Sequence, residues 1–365
     1  MMGTEGLHMM DAAGRSGFAG AVARERVEAA AANDRLSLMF AKKKRVHEAP
    51  LPLVPIADTH AHLLSFWGKD PAEALARAAL AGDRLLVTLL DPIADGMDAS
   101  TFRERLDVWV DQARGMLGQL EEGSQADRAA RTVTEEPSPL PAASLLDNVR
   151  YLCGVHPYGA PEYTDAVHAQ VEAALDDPSC MGIGEIGLDY HFDRDDDVAP
   201  APHELQIEVM ERQLDLAVRH NVPVELHLRH EGDDDARTSH RDAYDVLRRC
   251  GIPDAGCVLH CFGEDRATME CFVELGCHIA FGGAATFKRN EGVREAFAAC
   301  PLDRVLLETD CPYMSPEPLR GLECEPAMIT FTADALIRDR ADRTGEDARE
   351  IAWALWENAW DLFSR

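Results

Sequence analysis

The chain of 365 residues has no apolar run as long as the roughly eighteen residues a membrane-spanning helix needs. Its N-terminus also lacks a basic segment followed by an apolar stretch of the secretory type. The expectation is a cytoplasmic protein with no membrane partner. The 10 cysteines form no Cys-x-x-Cys pair, which removes a zinc-finger cage and a secreted disulfide framework and leaves reduced, mostly buried thiols. Positive charge is scarce: 36 Lys and Arg stand against 65 Asp and Glu, for a net charge of −29. Such a surface works against indiscriminate adhesion to nucleic acid or anionic lipid, so a polyanionic substrate must be held locally, by metal ions and a few arginines. No glycine-rich phosphate loop follows the first apolar run, which weakens an open, doubly wound nucleotide-binding sheet.

With 46% hydrophobic residues, the chain can bury a substantial core. Residues 1–50 are rich in Ala, Gly and charge, carry a weak helical pattern through Val22 to Phe40, and end in Lys42-Lys43-Lys44-Arg45. They read as an N-terminal extension, a tail or surface helix, ahead of one domain over 51–365. From Val54 onward eight short apolar runs recur: Val54–Ala57, Leu85–Leu90, Tyr151–Val155, Met181–Ile186, Val222–Leu228, Cys257–Cys261, His278–Phe281 and Val305–Glu308. Amphipathic stretches between most of them, such as Pro71–Ala81 and Glu204–His220, fit crossover helices. The α/β pattern predicts a closed (β/α)8 TIM barrel. Residues 93–148 are long for one crossover and predict a helix over Phe102–Leu120 followed by a polar surface excursion. Glu325–Arg340 and Glu346–Phe363 read as two closing helices.

The polar residues gather at the C-terminal ends of the predicted strands. The first is followed by Asp58-Thr59-His60-Ala61-His62, whose two histidines, on one face of an extended chain, have the spacing to chelate one ion. The fourth ends in Gly184-Glu185-Ile186-Gly187-Leu188-Asp189-Tyr190, the fifth in His227-Leu228-Arg229, the sixth in His260-Cys261-Phe262, and the eighth in Glu308-Thr309-Asp310. In a parallel barrel these termini share one rim. Taken singly, His227 reads as a core histidine and Asp310 as a helix cap. Together, four imidazoles and two carboxylates exceed one tetrahedral site and suit two divalent ions sharing a bridging carboxylate. His60, His62 and Asp310 are assigned to one ion and His227 and His260 to the other, with Glu185 between them.

With these residues assembled, the chain resembles the TatD family of metal-dependent hydrolases over about residues 54–365. The resemblance is carried in order by Asp-x-His-x-His, Gly154-Val155-His156-Pro157, Gly-Glu-Ile-Gly-Leu-Asp-Tyr, His-x-Arg, Leu-His-Cys-Phe and Glu-Thr-Asp-x-Pro-Tyr, and later by Glu325-Pro326 and the ending Glu357-Asn358 to Phe363. It implies a TIM barrel with a one- or two-metal centre and a metal-dependent deoxyribonuclease activity. By the same resemblance His156 and Arg229 bind the substrate phosphate. The pattern breaks after Arg229, where His230-Glu231 replaces the family's usual Asp-Ala and an insertion carries Asp233-Asp234-Asp235; Cys324 stands where Asn is common. A further acidic run spans Asp193 to Asp197. Acidic loops at the rim repel a long nucleic-acid backbone and favour a short or single-stranded substrate.

The reading that follows is hydrolysis of DNA or another phosphodiester with two divalent ions (Mg, Mn or Zn), Asp310 and Glu185 being the catalytic carboxylates and Asp310 orienting the attacking water and taking its proton. Two rivals stay open: an amidohydrolase or D-aminoacyl-tRNA deacylase acting on a carbonyl, and a non-catalytic metal- or nucleotide-binding protein. No obligate protein partner is indicated.

Overall fold

The computed structural model describes residues 35–123, 142–192 and 199–364; the acidic run Asp193–Asp197 and most of the polar stretch after residue 120 lie outside them. A two-stranded antiparallel hairpin, β1 (Met39–Lys42) and β2 (Arg45–Glu48), precedes an eight-stranded parallel sheet. The sheet runs β3 (Ile56–Ala61), β4 (Asp83–Leu90), β5 (Val149–Cys153), β6 (Cys180–Asp189), β7 (Val224–Arg229), β8 (Cys257–Leu259), β9 (His278–Phe281) and β10 (Val305–Leu307), each strand beside its sequence neighbour. Helices α1 (Pro71–Ala81), α2 (Ala99–Gly123), α3 (Asp165–Ala174), α4 (His203–His220), α5 (Thr238–Cys250), α6 (Arg266–Glu274), α7 (Glu291–Ala299), α8 (Ile329–Thr344) and α9 (Ala348–Phe363) complete the (β/α)8 barrel. No helix among the described residues is long and apolar enough to cross a membrane. The ten cysteines are free thiols, most of them buried.

Side-chain parity explains why these runs form strands. Every residue of β4 is buried, as expected where both faces of a parallel sheet are covered. Leu85, Val87 and Leu89 point into the barrel with Ala57, Leu152, Met181, Val258, Ala280 and Leu306. The alternate residues Leu86 and Leu90 join the outer core beneath the helices. Trp356, Ala359, Leu362 and Phe363 of α9 complete the inner cluster, so this helix plugs the barrel and packs on β3 and β10. Helix ends follow local chemistry as well: α1 starts at Asp70, whose carboxylate accepts from the Ala72 and Glu73 amides at 2.9 and 3.1 Å, continues with Pro71, and stops at Gly82 with φ 104°.

β10 and β3 meet across the seam of the barrel. Asp58, fully buried, accepts from the Thr309 amide at 2.8 Å and from its hydroxyl at 2.6 Å. The Asp310 amide donates to the His60 carbonyl at 3.0 Å and the His62 amide to the Cys311 carbonyl at 2.8 Å, and Ala61 and Cys311 form a parallel bridge.

The stretch expected to be a tail or surface helix is different from residue 35 on. Leu36, Leu38 and Phe40 are buried, and Phe40 meets Phe331 of α8 edge-on at 5.6 Å beneath the Arg77 guanidinium. Lys43 and Lys44 form the hairpin turn, with Lys43 at φ 56°, and Lys42 donates to the Pro318 carbonyl at 2.7 Å. The basic tetrad hid the strand character of the residues on either side of it. Phe40→Ala should cost about 3 kcal/mol of stability through lost burial and a residual cavity. Denaturant unfolding checks this, and an unchanged midpoint is the result expected of a loose tail.

Candidate metal centre

All six residues assigned to metal from the sequence come together, five of them at or near the C-terminal ends of their strands. Strand β3 runs on to Ala61, so His60 lies within it and His62 just beyond; their Nε2 atoms are 2.9 Å apart. Asp310 Oδ1 lies 3.5 Å from His62 Nε2 and 3.8 Å from His60 Nε2. Its backbone, at φ 55°, takes the left-handed conformation that Asp tolerates better than most residues. Glu185 sits in the middle of β6, where the sequence placed it at a strand end. Oε1 of Glu185 is 3.6 Å from His62 Nε2, and Oε2 is 2.9 Å from His260 Nε2 and 3.3 Å from His227 Nδ1. The split between two ions is less clean than the motifs implied, because His60 stacks on His260 with ring centroids 3.9 Å apart and groups with Glu185 and His260 as well as with His62 and Asp310.

Glycines let these strands approach. Gly187, at φ 146°, is paired with His227, and a Cβ there would stand 2.0 Å from the His227 carbonyl oxygen. One residue before Glu185, a Cβ on Gly184 would press on Glu225 and Leu152 at 2.9 and 3.0 Å. The Gly-Glu-Ile-Gly run is therefore a close-packing requirement that aims Glu185 into the centre.

Two carboxylates not assigned from the sequence meet the imidazoles at hydrogen-bond distance, and a third lies near. Glu225 Oε1 is 2.5 Å from His60 Nδ1, Asp189 Oδ2 is 3.1 Å from His227 Nε2, and Glu308 Oε1 is 3.8 Å from His260 Nδ1. With its Nδ1–H given to Glu225, His60 presents a lone pair at Nε2; with its Nε2–H given to Asp189, His227 presents one at Nδ1. Asp189 and Glu308 were visible within the motifs. Glu225 had one signal, its position two residues before His227 on the same face of an otherwise apolar strand.

The electrostatics call for cations. Burial pushes the Glu225 carboxyl up to about 8 and drives His60 down to about 3 with help from His260 and His62. Burial also opposes charge on Glu185, yet the His227 and His260 imidazoles beside it hold it well below the usual carboxylate range. Burial likewise opposes charge on His260, and Glu185 and Glu308 outweigh it, drawing its pKa well above the ordinary imidazole value. Among the described residues the ion-pair partners of Glu185, Glu225 and Asp310 are histidines. Oε2 of Glu185 makes no properly directed hydrogen bond although His260 Nε2 is 2.9 Å away. Donor atoms this close, without hydrogen-bond geometry, are what ligands of a common ion look like: metal–ligand bonds of 2.0–2.1 Å place neighbouring ligand atoms about 2.9 to 3.4 Å apart. The donor set fits divalent metal.

The two residues named by resemblance also reach the rim. The His156 ring stands 4.3 Å from that of His227, and its Nδ1 accepts from the Tyr158 amide at 3.2 Å. Arg229 Nη1 lies 3.9 Å from Asp189 Oδ2. Glu325 is 2% exposed and is held by Lys69 and by Arg77, so its place is structural, tying the loop after β3 and helix α1 to the chain before α8.

A family model described as TatD related DNase matches residues 57–364. The metal-dependent hydrolase YcfH of Escherichia coli K12 is 36% identical over 217 residues, covering 60% of this chain and 74% of that protein. A protein of Pantoea vagans named 3'-5' ssDNA/RNA exonuclease TatD is 31% identical over 215 residues, covering 58% of this chain and 76% of its own length. Among solved structures, the TatD homologue YjjV of Escherichia coli K12 superposes with a TM-score of 0.61 at 27% identity, covering 86% of this chain and 99% of that one. The match spans the whole barrel and every strand end that supplies a ligand, and on it the chain belongs to the TatD family of metal-dependent hydrolases.

Proposed function

We propose that the chain cleaves phosphodiester bonds in short or single-stranded nucleic acid, using two divalent ions of the Mg, Mn or Zn class. One observation carries the two-ion reading: the oxygens of Glu185 face different ligand sets, Oε1 toward His62 and Oε2 toward His227 and His260. His60, His62 and Asp310 hold one ion, His227 and His260 the other, and Glu185 lies between. Divalent ions in such a site supply Lewis acidity toward a phosphoryl oxygen and lower the pKa of water.

The protein's own groups do the rest. Asp310, kept ionised by His62 against the effect of burial, orients the attacking water and receives its proton. Burial holds His156 neutral, with a pKa of about 3, and its Nδ1 accepts from the Tyr158 amide. A neutral ring so placed carries its proton on Nε2 and donates to a non-bridging phosphate oxygen. Arg229, more exposed, brings a permanent positive charge to the same oxygens.

Two features favour unpaired nucleic acid. Trp67 and Tyr313 are 64% and 48% exposed, their rings are 6.0 Å apart, and Tyr313 lies 6.1 Å from the His62 ring. Glu323 accepts from the Trp67 and Gly68 amides at 2.7 and 3.0 Å, fixing the loop that presents the indole. Aromatic faces beside a phosphate site stack splayed bases of any sequence. The acidic segment Asp233–Asp235, in the loop after β7, disfavours a long duplex lying across the rim.

The test is purified protein loaded with each metal and offered a single-stranded oligonucleotide, a chromogenic phosphodiester and an acyl ester, with and without chelator. Cleavage of the first two, abolished by chelator and lowered about 10²- to 10⁴-fold in kcat by Asp310→Asn with the fold intact, is expected; turnover of the acyl ester alone overturns the reading. Glu225→Gln keeps the shape of the side chain but replaces the carboxyl group that meets His60 Nδ1 by an amide, and should weaken metal binding about 10- to 100-fold in a competition titration. Trp67→Ala should raise KM for the oligonucleotide by roughly five- to a hundredfold, more than it lowers kcat, in steady-state assays.

A further inference from the structure

A second cluster of metal-type ligands stands on the same rim and shares no residue with the centre described above. His230 follows the last residue of β7, His240 is the third residue of α5, and Glu264 lies in the loop between β8 and α6. One donor atom from each falls within 4.8 Å of the other two. His230 Nδ1 is 3.5 Å from Glu264 Oε1, and the two imidazole rings stand 5.5 Å apart, inclined at 70°. We propose that His230, His240 and Glu264 form a separate site for a divalent ion of the zinc class, which fastens the segment from 230 to 240 beside Arg229.

The donor set chooses the ion. Two imidazoles and one carboxylate suit zinc or cobalt and leave a coordination position open, whereas magnesium and calcium prefer all-oxygen shells. The environment is built around the ligands. His240 is 6% exposed, and the contact its Nδ1 makes, with the Ser239 hydroxyl, is long at 3.4 Å. Burial, with smaller contributions from His230 and Arg237, pushes its pKa to about 3, so the ring stays neutral and keeps a lone pair at neutral pH. Arg237 donates through Nε to Glu264 Oε2 at 2.5 Å and through Nη2 to Asp265 Oδ2 at 2.8 Å, which anchors the carboxylate and leaves Oε1 facing His230. The loop itself is tied down, since Asp234 accepts from the Thr238 amide at 2.6 Å and the Ala236 amide at 3.0 Å, with Arg237 in the left-handed conformation at φ 49°.

A simple His230–Glu264 ion pair explains two of these residues. It does not explain a neutral, buried imidazole brought to the same point. The ligand atoms converge from three separate elements within 4.8 Å of one another, at most about 1.5 Å beyond the spacing of ligands on one ion, a gap that the partly exposed His230 ring can close.

The experiment counts zinc. Metal-free protein is titrated with zinc against a chromophoric chelator, comparing wild type, His230→Ala, Glu264→Gln and a His62→Ala/Asp310→Asn variant that cripples the main centre. His230 is partly exposed, so its removal spares the core, and circular dichroism confirms folding of each variant. The expected result is one tight equivalent fewer, or at least about tenfold weaker binding of it, in both His230→Ala and Glu264→Gln, and retention of that equivalent in the main-centre variant. Equal stoichiometry in wild type and His230→Ala overturns the proposal. Loss in Glu264→Gln alone assigns the effect to the Arg237 pair and also overturns it, as does disappearance of the equivalent with the main centre. None of these outcomes depends on which bond the main centre cleaves.

Discussion

The buried Asp58 carboxylate is the constraint from which the rest of the structure follows. It accepts both the amide and the hydroxyl of Thr309, locking the end of β10 against β3 at the seam of the barrel. Burial pushes its pKa to about 8 despite those bonds, a sign of how much desolvation the closure imposes. The same seam sets the register in which the Asp310 amide reaches the His60 carbonyl and the His62 amide reaches the Cys311 carbonyl. Closing the barrel and bringing Asp310 to the His-x-His pair are thus one event. An open sheet of the same strands would leave those ligands apart.

Once the seam is closed, the inside of the rim holds more negative groups than an apolar interior tolerates. Glu185, Glu225, Glu308 and Asp310 are gathered around His60, His62, His227 and His260. Desolvation is the leading force on all four carboxylates and raises their pKa values, while neighbouring imidazoles pull the other way. Protons on imidazoles relieve the imbalance in part, and divalent ions bound through the histidine lone pairs would relieve it further. The orienting carboxylates make the choice of lone pair specific: Glu225 and Asp189 leave opposite nitrogens of His60 and His227 facing inward.

Much of this was legible in the sequence because a barrel strand buried on both faces reads as a plain apolar run and its ligands follow immediately. The eight strands follow on that basis, and the six candidate ligands stand close to one another. What escaped did so for physical reasons. The hairpin strands flank four consecutive basic residues, and Lys42–Arg45 masked the buried Leu36, Leu38 and Phe40. Glu225 belongs to none of the motifs, since only packing shows that its partner is His60 from a different strand. The motif that ends the fourth apolar run puts Glu185 at a strand end, whereas β6 continues past it and Gly184 and Gly187 serve close strand packing. His230, His240 and Glu264 come from three elements with no common spacing, so no motif announces them.

The chain's charge gives the metal a second role under the proposed function. A protein of net charge −29 whose rim also carries Asp233–Asp235 repels a phosphodiester on approach. Arg229 alone, 3.9 Å from Asp189 and partly compensated by it, is a weak counterweight. Two divalent ions would add four positive charges where the carboxylates converge, reversing the local potential over a distance of about one Debye length, 8–10 Å at moderate salt. That range spans one or two nucleotides and little more. Attraction confined to the metal site, with repulsion around it, selects a strand that can present a single phosphate at its end or in a flexible stretch over a duplex that must lie along the whole face. The overall acidity of the chain and the chemistry of its centre then work in the same direction.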